Sequence, residues 1–327
     1  MRDDGLEARY QLAPCLQSVR WSRRATDAGL FTQPTHARGK VVRGIVARSP
    51  ASRQRSTMPT PDLMIVTDLD GTFLDHHDYS FDAALPMLEQ LRADDVPVVF
   101  CSSKTRAEIT ALQARTGLDG HAFVAENGAV VVGSAGEVLV GPVDGDLERL
   151  HAELARVRRA LHLRFETFGG VTDAVVAAWT GLDLEAAGRA QQREASEVLL
   201  WHAEDDDRAD AFRAALAAVG LDLVRGGRFW HVLPAGRDKG AAVRTLIADH
   251  ERRTGTVPRT IGLGDGPNDT ALLDAVDFAV VVRGHGPAPG PLADDRPERV
   301  HRTTAPGPQG WTEGLTRFTT PSVRSHR

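Results

Sequence analysis

From Leu63 onward the chain alternates short apolar runs with amphipathic stretches of helical length. LMIVTDLDG is a buried strand that ends in acids and a glycine, FDAALPMLEQLRADD a helix, and PVVFCSS a second buried strand. Lys104 to Thr116 continues as a helix stopped by Gly117, and AFVAENGAVVV reads as strand, tight turn and strand. Buried strands alternating with helices of this length predict right-handed crossovers and a parallel sheet. Near Gly141 the rhythm changes. DLERLHAELARVRRAL predicts a long helix, with further helices at Leu184–Ala190 and Asp207–Val219, VLLWHA between them and LDLVRGGRFWHVL after. After Asp238 the first rhythm resumes: GAAVRTLIADHERR as helix, TIGLGDG as strand and loop, TALLDAV as helix, FAVVV as strand. The expectation is an α/β doubly wound core over 58–140 and 229–318, interrupted by an α+β module over 141–228, with a frayed tail over 319–327. Residues 1–57 show neither period and are expected to be a weakly structured leader.

Acids cluster where the predicted strands end. In Asp68-Leu69-Asp70-Gly71-Thr72 the two aspartates share one side of an extended chain, and Gly71 permits a sharp exit. In an open parallel sheet ligands bind beyond the carboxyl ends of the strands. Two carboxylates this close repel, so a cation is expected beside them, and hard oxygen ligands suit Mg²⁺. Gly264-Asp265-Gly266-Pro267-Asn268-Asp269 repeats the arrangement after TIGL, and Asp265 can complete a metal site from a neighbouring strand. Ser102, at the end of PVVFCS, has the hydroxyl and following amides that suit a phosphate oxygen, and equally reads as a helix N-cap. Lys239 offers a point charge for the same phosphate, or is a surface lysine.

Other chemistries fit less well. GLGDG lacks the spacing of a dinucleotide-binding loop, and no G-x-x-x-x-G-K-[ST] occurs. Cys101 lies in an apolar run with no basic partner nearby, which disfavours a thiol nucleophile. His76 and His77 are adjacent rather than one helical turn apart, which disfavours zinc.

Composition adds a boundary. Among 327 residues 42% are hydrophobic and 25% charged, and the net charge of −5 gives no reason to expect nucleic acid. Eleven basic and four acidic residues precede Met58, a net +7, which leaves −12 for the remainder. With two cysteines, Cys15 and Cys101, a disulfide framework is not expected, and the cytoplasm is the natural compartment. No apolar run reaches the roughly 18 residues of a membrane span. Asp3, Asp4 and Glu7 argue against reading the leader as a transit peptide.

Taken in order, DLDGT, Ser102, Lys239 and GDGPND resemble the haloacid dehalogenase superfamily of phosphotransferases over roughly residues 62–315. DLDGTFLDHHDYSFDAALPML, CSSKTRAEI, AENGA, GGRFWHV and GPQGW together resemble the mannosyl-3-phosphoglycerate phosphatase family. The resemblance implies a Rossmann-like core with an inserted cap and a sugar-phosphoglycerate substrate. It implies Asp68 as covalent nucleophile, Asp70 as general acid and base, and Mg²⁺ held by Asp68, Asp70 and Asp265. Asn268 and Asp269 would support the metal, while Ser102 and Lys239 would hold the phosphoryl group. Lys104, Glu126, Asn127, Arg189, Arg193 and Ser196, with Glu197 beside them, would read the substrate. Gly266 departs from the pattern, where a serine is common. Rival readings are a phosphatase of the same fold acting on glucosyl-3-phosphoglycerate or another sugar phosphate, a phosphomutase, and a receiver-like phosphate-binding module. Asp70 argues against the last, since a receiver needs no acid two residues after its phosphorylated aspartate.

The charge break suggests that translation begins at Met58. Mass spectrometry of the natural protein is expected to find its N-terminus there; an intact peptide from residues 1–57 would refute it.

Overall fold

The computed structural model describes residues 62–201 and 208–319. The expected leader, the proposed start at Met58 and residues 320–327 of the expected tail lie outside them. The first half of the core runs β1 (Leu63–Thr67), α1 (Leu85–Ala93), β2 (Val98–Cys101), α2 (Arg106–Thr116), β3 (Phe123–Ala125), β4 (Val130–Val132) and β5 (Val138–Val140). The inserted module follows as α3 (Asp146–Ala160), β6 (Phe165–Thr167), α4 (Asp173–Thr180), α5 (Leu184–Ala190), β7 (Glu197–Trp201), α6 (Ala209–Ala217), β8 (Leu221–Arg225) and β9 (Trp230–Pro234). The chain then returns through α7 (Lys239–Thr254), β10 (Arg259–Gly264), α8 (Thr270–Asp274), β11 (Phe278–Arg283), β12 (Val300–Pro306) and α9 (Gly307–Thr319).

Eight strands form one sheet in the order β12-β11-β10-β1-β2-β3-β4-β5. Pairing is parallel from β12 through β3 and antiparallel at β4 and β5. Strand side chains alternate, so each face has its own core. Ile65, Phe100, Leu263 and Val280 pack with α1, α2 and α9 through Leu88, Ile109 and Trp311. Met64, Val66, Val99 and Ala279 pack with α7 and α8 through Val243, Leu246 and Leu272. Helices on both faces explain why these strands read as unbroken apolar runs.

The inserted module is a four-stranded antiparallel sheet, β6-β7-β9-β8. One face buries Leu199 and Val232 against Leu150 and Leu154 of α3 and Phe212 of α6. The next residues along the same strands point the other way: Val198 meets Phe168, Val176 and Ala187, and Leu233 joins the core beneath. β9 belongs to this sheet, so the module ends after Pro234 rather than at 228. The breakpoint is displaced because GGRFWHVL is one apolar-rich run with no compositional seam.

Two core elements escape the sequence pattern. β12 is an edge strand carrying His301, Arg302, Thr303 and Thr304, too polar to read as buried. α9 contains Pro308, Gly310 and Gly314, which read as breakers. Here Gly314 is a contact: a Cβ built on it would lie 2.2 Å from Val280 Cγ1 of β11, so glycine lets the helix lie on the sheet.

Candidate active site

From β1 the chain proceeds through β2 and β3 on one side and returns through β10 on the other. Ligands in such sheets bind beyond the carboxyl ends at this reversal. Asp68 follows β1 there, its amide donating to the Leu263 carbonyl of β10 at 2.9 Å, and Asp265 follows β10. Gly71 takes a φ of +81°, and a Cβ on it would come within 2.6 Å of Asp265 Oδ2. The turn after β1 therefore needs glycine both for its conformation and for the approach of Asp265. Trp311, fully buried, donates Nε1–H to Thr67 Oγ1 at 3.0 Å, and Thr67 Oγ1 donates to the Asp68 carbonyl at 2.7 Å. The GPQGW segment thus braces the backbone under Asp68.

Lys239, the first residue of α7, is 1% exposed. Its ammonium donates to Asp68 Oδ1 at 2.5 Å and Asp269 Oδ1 at 2.6 Å. The other Asp269 oxygen accepts the amides of Asp265 and Gly266 at 3.1 and 2.9 Å. Thr72 Oγ1 donates to Asp265 Oδ1 at 3.3 Å. Burial and the Asp269 carboxylate push the Asp68 carboxyl well above its usual pKa, against the pull of Lys239. Burial and Asp269 raise Asp265 to about 7. Burial works against the Lys239 ammonium, but Asp269 and Asp68 outweigh it and raise its pKa.

Three carboxylates converge within 4.8 Å of one another around one ammonium. The donor set fits a divalent cation. Both Asp269 oxygens are engaged, which leaves Oδ2 of Asp68 and Oδ2 of Asp265 as the oxygens not committed to another residue. Oxygen-only ligands suit Mg²⁺. Asn268, expected to support the metal, donates Nδ2–H to Asn127 Oδ1 at 3.1 Å and borders the cavity above the cluster.

Asp70 differs from these acids. Its side chain is 42% exposed, and Oδ1 lies 3.0 Å from Lys104 Nζ, which is also 3.7 Å from Glu108 Oε1. Burial disfavours the Lys104 ammonium, yet Asp70 and Glu108 raise its pKa. Ser102 is buried at the end of β2, where Oγ accepts the Lys104 amide at 3.3 Å. Cys101 is also buried, which pushes its thiol pKa up and removes it as a nucleophile.

Above these groups lies a cavity of about 370 Å³ between core and cap. Asp68, Asp70, Lys104, Asp265 and Asn268 border it from the core. Phe168, Leu182, Arg193, Val198, Arg228, Phe229 and His231 border it from the cap, and His76, Tyr79 and His285 from the core loops. Of the residues expected to read the substrate, Lys104 and Arg193 reach the cavity. Arg189 does not: its guanidinium pairs with Glu185 at 2.6 Å. Glu126 and Ser196 join the two domains instead. Glu126, fully buried at a φ of +52°, accepts the Glu194 and Ala195 amides at 2.8 and 3.1 Å and the Ser196 hydroxyl at 2.6 Å. Arg106 adds two hydrogen bonds to Glu194, and Thr105 Oγ1 donates to the Arg189 carbonyl. Asn127, also at positive φ, donates its amide to the Ser102 carbonyl. Glu197 is buried in β7, bonded to His151 at 2.9 Å.

His231, Arg228, Phe229, Phe168 and Tyr79 border the cavity without having been marked by chemistry in the sequence. Most fall in segments that the resemblance singles out, HHDY and GGRFWHV, so that is the signal that could have found them. His76 stacks on His285 with ring centroids 4.9 Å apart, and His77 meets both edge-on at 5.1 and 5.0 Å. Among the described residues the metal-binding geometry lies with the carboxylates.

Residues 65–144 match the family model of haloacid dehalogenase-like hydrolases. The fold is that of these hydrolases. A haloacid dehalogenase-like hydrolase from B. subtilis superposes with a TM-score of 0.53 at 16% identity, covering 79% of this chain and 99% of its own. A phosphatase of the haloalkanoate enzyme superfamily from Bacteroides thetaiotaomicron gives 0.54 at 16% identity, over 81% and 97%. A subclass IIB sugar phosphatase gives 0.54 at 14% identity, over 78% and 96%. At these identities the likeness is one of fold. It extends through the haloacid dehalogenase-like core and the inserted cap.

Glu126→Ala removes the acceptor from two backbone amides and one hydroxyl. A loss of about 2–3 kcal/mol in chemical denaturation is expected, together with faster hydrogen exchange at Glu194 and Ala195. Unchanged stability and exchange would show that this carboxylate does not hold the cap.

Proposed function

We propose that the chain is a Mg²⁺-dependent phosphatase acting on a sugar-linked phosphoglycerate, with mannosyl-3-phosphoglycerate the first candidate, through an aspartyl-phosphate on Asp68. The observation that supports this most is the buried cluster at the sheet reversal: a nucleophile candidate bonded to an ammonium, with an exposed second acid two residues on. Asp68 attacks phosphorus, and the ester P–O bond breaks to leave a phosphoryl group on its carboxylate. Asp70 gives its proton to the departing alkoxide. It then takes a proton from water, whose oxygen attacks phosphorus and frees Asp68 with inorganic phosphate. Its exposure to the cavity suits a group that must reach both leaving group and water.

Lys239 offsets charge on Asp68 and on the phosphoryl oxygens, and Ser102, at the adjacent strand end, supplies a hydroxyl to the same group. Asp68, Asp265 and Asp70 would hold Mg²⁺, which when bound would supply charge neutralisation for the phosphoryl group, the main requirement of phosphoryl transfer. Arg193 supports an acidic organic part. Its Nε and Nη2 are held by Ser196 and the Ser103 carbonyl. Nη2 also lies 3.8 Å from Glu126 Oε2, Nη1 makes no hydrogen bond among the described residues, and a guanidinium so fixed suits a glycerate carboxylate. Phe168, Phe229 and Tyr79 offer apolar walls for a sugar ring. The glucosyl ester is the second candidate, since nothing in this set of walls discriminates one hexose from another.

A phosphate-release screen over sugar-phosphoglycerates and simple sugar phosphates with Mg²⁺ tests the reading. Release is expected from a sugar-phosphoglycerate, lost on chelation; isomer formation without free phosphate would point to a phosphomutase. Asp68→Asn should abolish turnover with the fold intact, and substantial residual Mg²⁺-dependent rate would refute the nucleophile. For Asp70→Asn the expectation is a fall of roughly 10²–10⁴ in kcat; full rate at saturating metal would remove its acid–base role.

A further inference from the structure

We propose that His231 is a specificity-determining residue that hydrogen-bonds a hydroxyl of the organic part of the phosphate ester. It deepens the phosphatase reading above and rests on it. His231 lies on β9, an inner strand of the cap sheet, between Val224 of β8 and Val198 of β7. Its neighbour Val232 points into the cap's own core, so the strand alternation turns His231 to the opposite face, toward the catalytic domain. There it borders the cavity with Arg193, Val198 and Phe229.

His231 is 6% exposed, and its Nδ1 is buried with no hydrogen-bond partner among the described residues. Buried polar atoms are normally satisfied, and one left open at a cavity wall marks a place where a ligand can supply the partner. The shape around the ring is specific too. A Cβ at Gly226 would stand 2.9 Å from His231 Nε2, so glycine is what leaves room for the ring at this wall.

The charge state decides which ligand group fits. Burial, Arg193 and Lys239 lower the His231 pKa to about 3, so the ring is neutral across the physiological range. A neutral imidazole has one N–H donor and one acceptor nitrogen. A carboxylate or phosphate, which only accepts, can pair with Nδ1 only when Nδ1 carries the proton, and is better served by Arg193. A hydroxyl, which donates or accepts, can pair with Nδ1 in either tautomer. Arg193 and His231 side by side therefore describe an organic part that has an anion and a hydroxyl close together.

The test compares the full chain with His231→Phe, which keeps the ring and removes its polar atoms, and His231→Gln, which restores a donor and an acceptor. Each is assayed with Mg²⁺ on the best hydroxyl-bearing ester of the screen and on phenyl phosphate, whose leaving group has no polar atom. The ratio of kcat/KM between the two esters should fall roughly tenfold in His231→Phe, with the loss in KM rather than kcat. His231→Gln should recover most of it. Damage to the fold lowers both activities and cancels in the ratio. A ratio unchanged in His231→Phe overturns this assignment while leaving the phosphatase reading intact. If the unsubstituted chain releases phosphate from no ester, the phosphatase reading falls and this assignment with it.

Discussion

The geometry of the site depends on one buried ammonium. Lys239 stands between Asp68 and Asp269 where water does not reach, and each of the three occupies a different element: the start of α7, the end of β1 and the turn after β10. Removing one partner of such a buried pair leaves an uncompensated charge and typically costs about 3–5 kcal/mol. The cluster therefore ties strand order to side-chain chemistry. β1 and β10 must be neighbours for Asp68 and Asp265 to meet, and α7 must begin against both. One ammonium does not balance three carboxylates; burial first, and the neighbouring Asp269 carboxylate second, raise the pKa values of Asp68 and Asp265. The excess negative charge gives the place the character of a cation site.

A second buried carboxylate governs the cap. Glu126 sits in the β3–β4 turn, yet its acceptors are filled from residues 194–196 of the cap. The same segment contains Arg193, whose guanidinium is clamped by Ser196 and Ser103 at the cavity edge. Holding the cap and aiming its cation are thus one structural act. Arg228 makes a further tie, donating to the Tyr79 hydroxyl at 2.8 Å from across the cavity.

Much of this is legible in the chain, for definite reasons. The central strands show because helices cover both faces and leave no polar position. The acids at 68, 70, 265 and 269 show because they follow the ends of apolar strands and glycines mark the turns. Ser102 and Lys239 become meaningful in order, though neither does alone. β12 is hidden by the polarity of an edge strand, and α9 by glycines that serve contact rather than flexibility. The partners of Glu126, Arg189 and Ser196 do not show, for other reasons. Glu126 and Ser196 meet some seventy positions apart, in a tertiary contact that no local pattern encodes, whereas Arg189 pairs with Glu185 one turn back in its own helix.

The cap also shows why a polar residue near a substrate pocket cannot be assigned by its type. Ser196 and Glu126 have the right chemistry for a sugar, but they complete each other and have little left to offer a ligand. His231 lies in an apolar run, FWHVL, where the ordinary reading is a core histidine satisfied by a neighbour. Its Nδ1 has no such neighbour among the described residues. In a folded chain the groups that can discriminate a ligand are those whose hydrogen-bonding capacity the fold leaves unused. By that measure the reading surface of the cap is the inner face of β9 and the free edge of Arg193, not the segment richest in polar side chains.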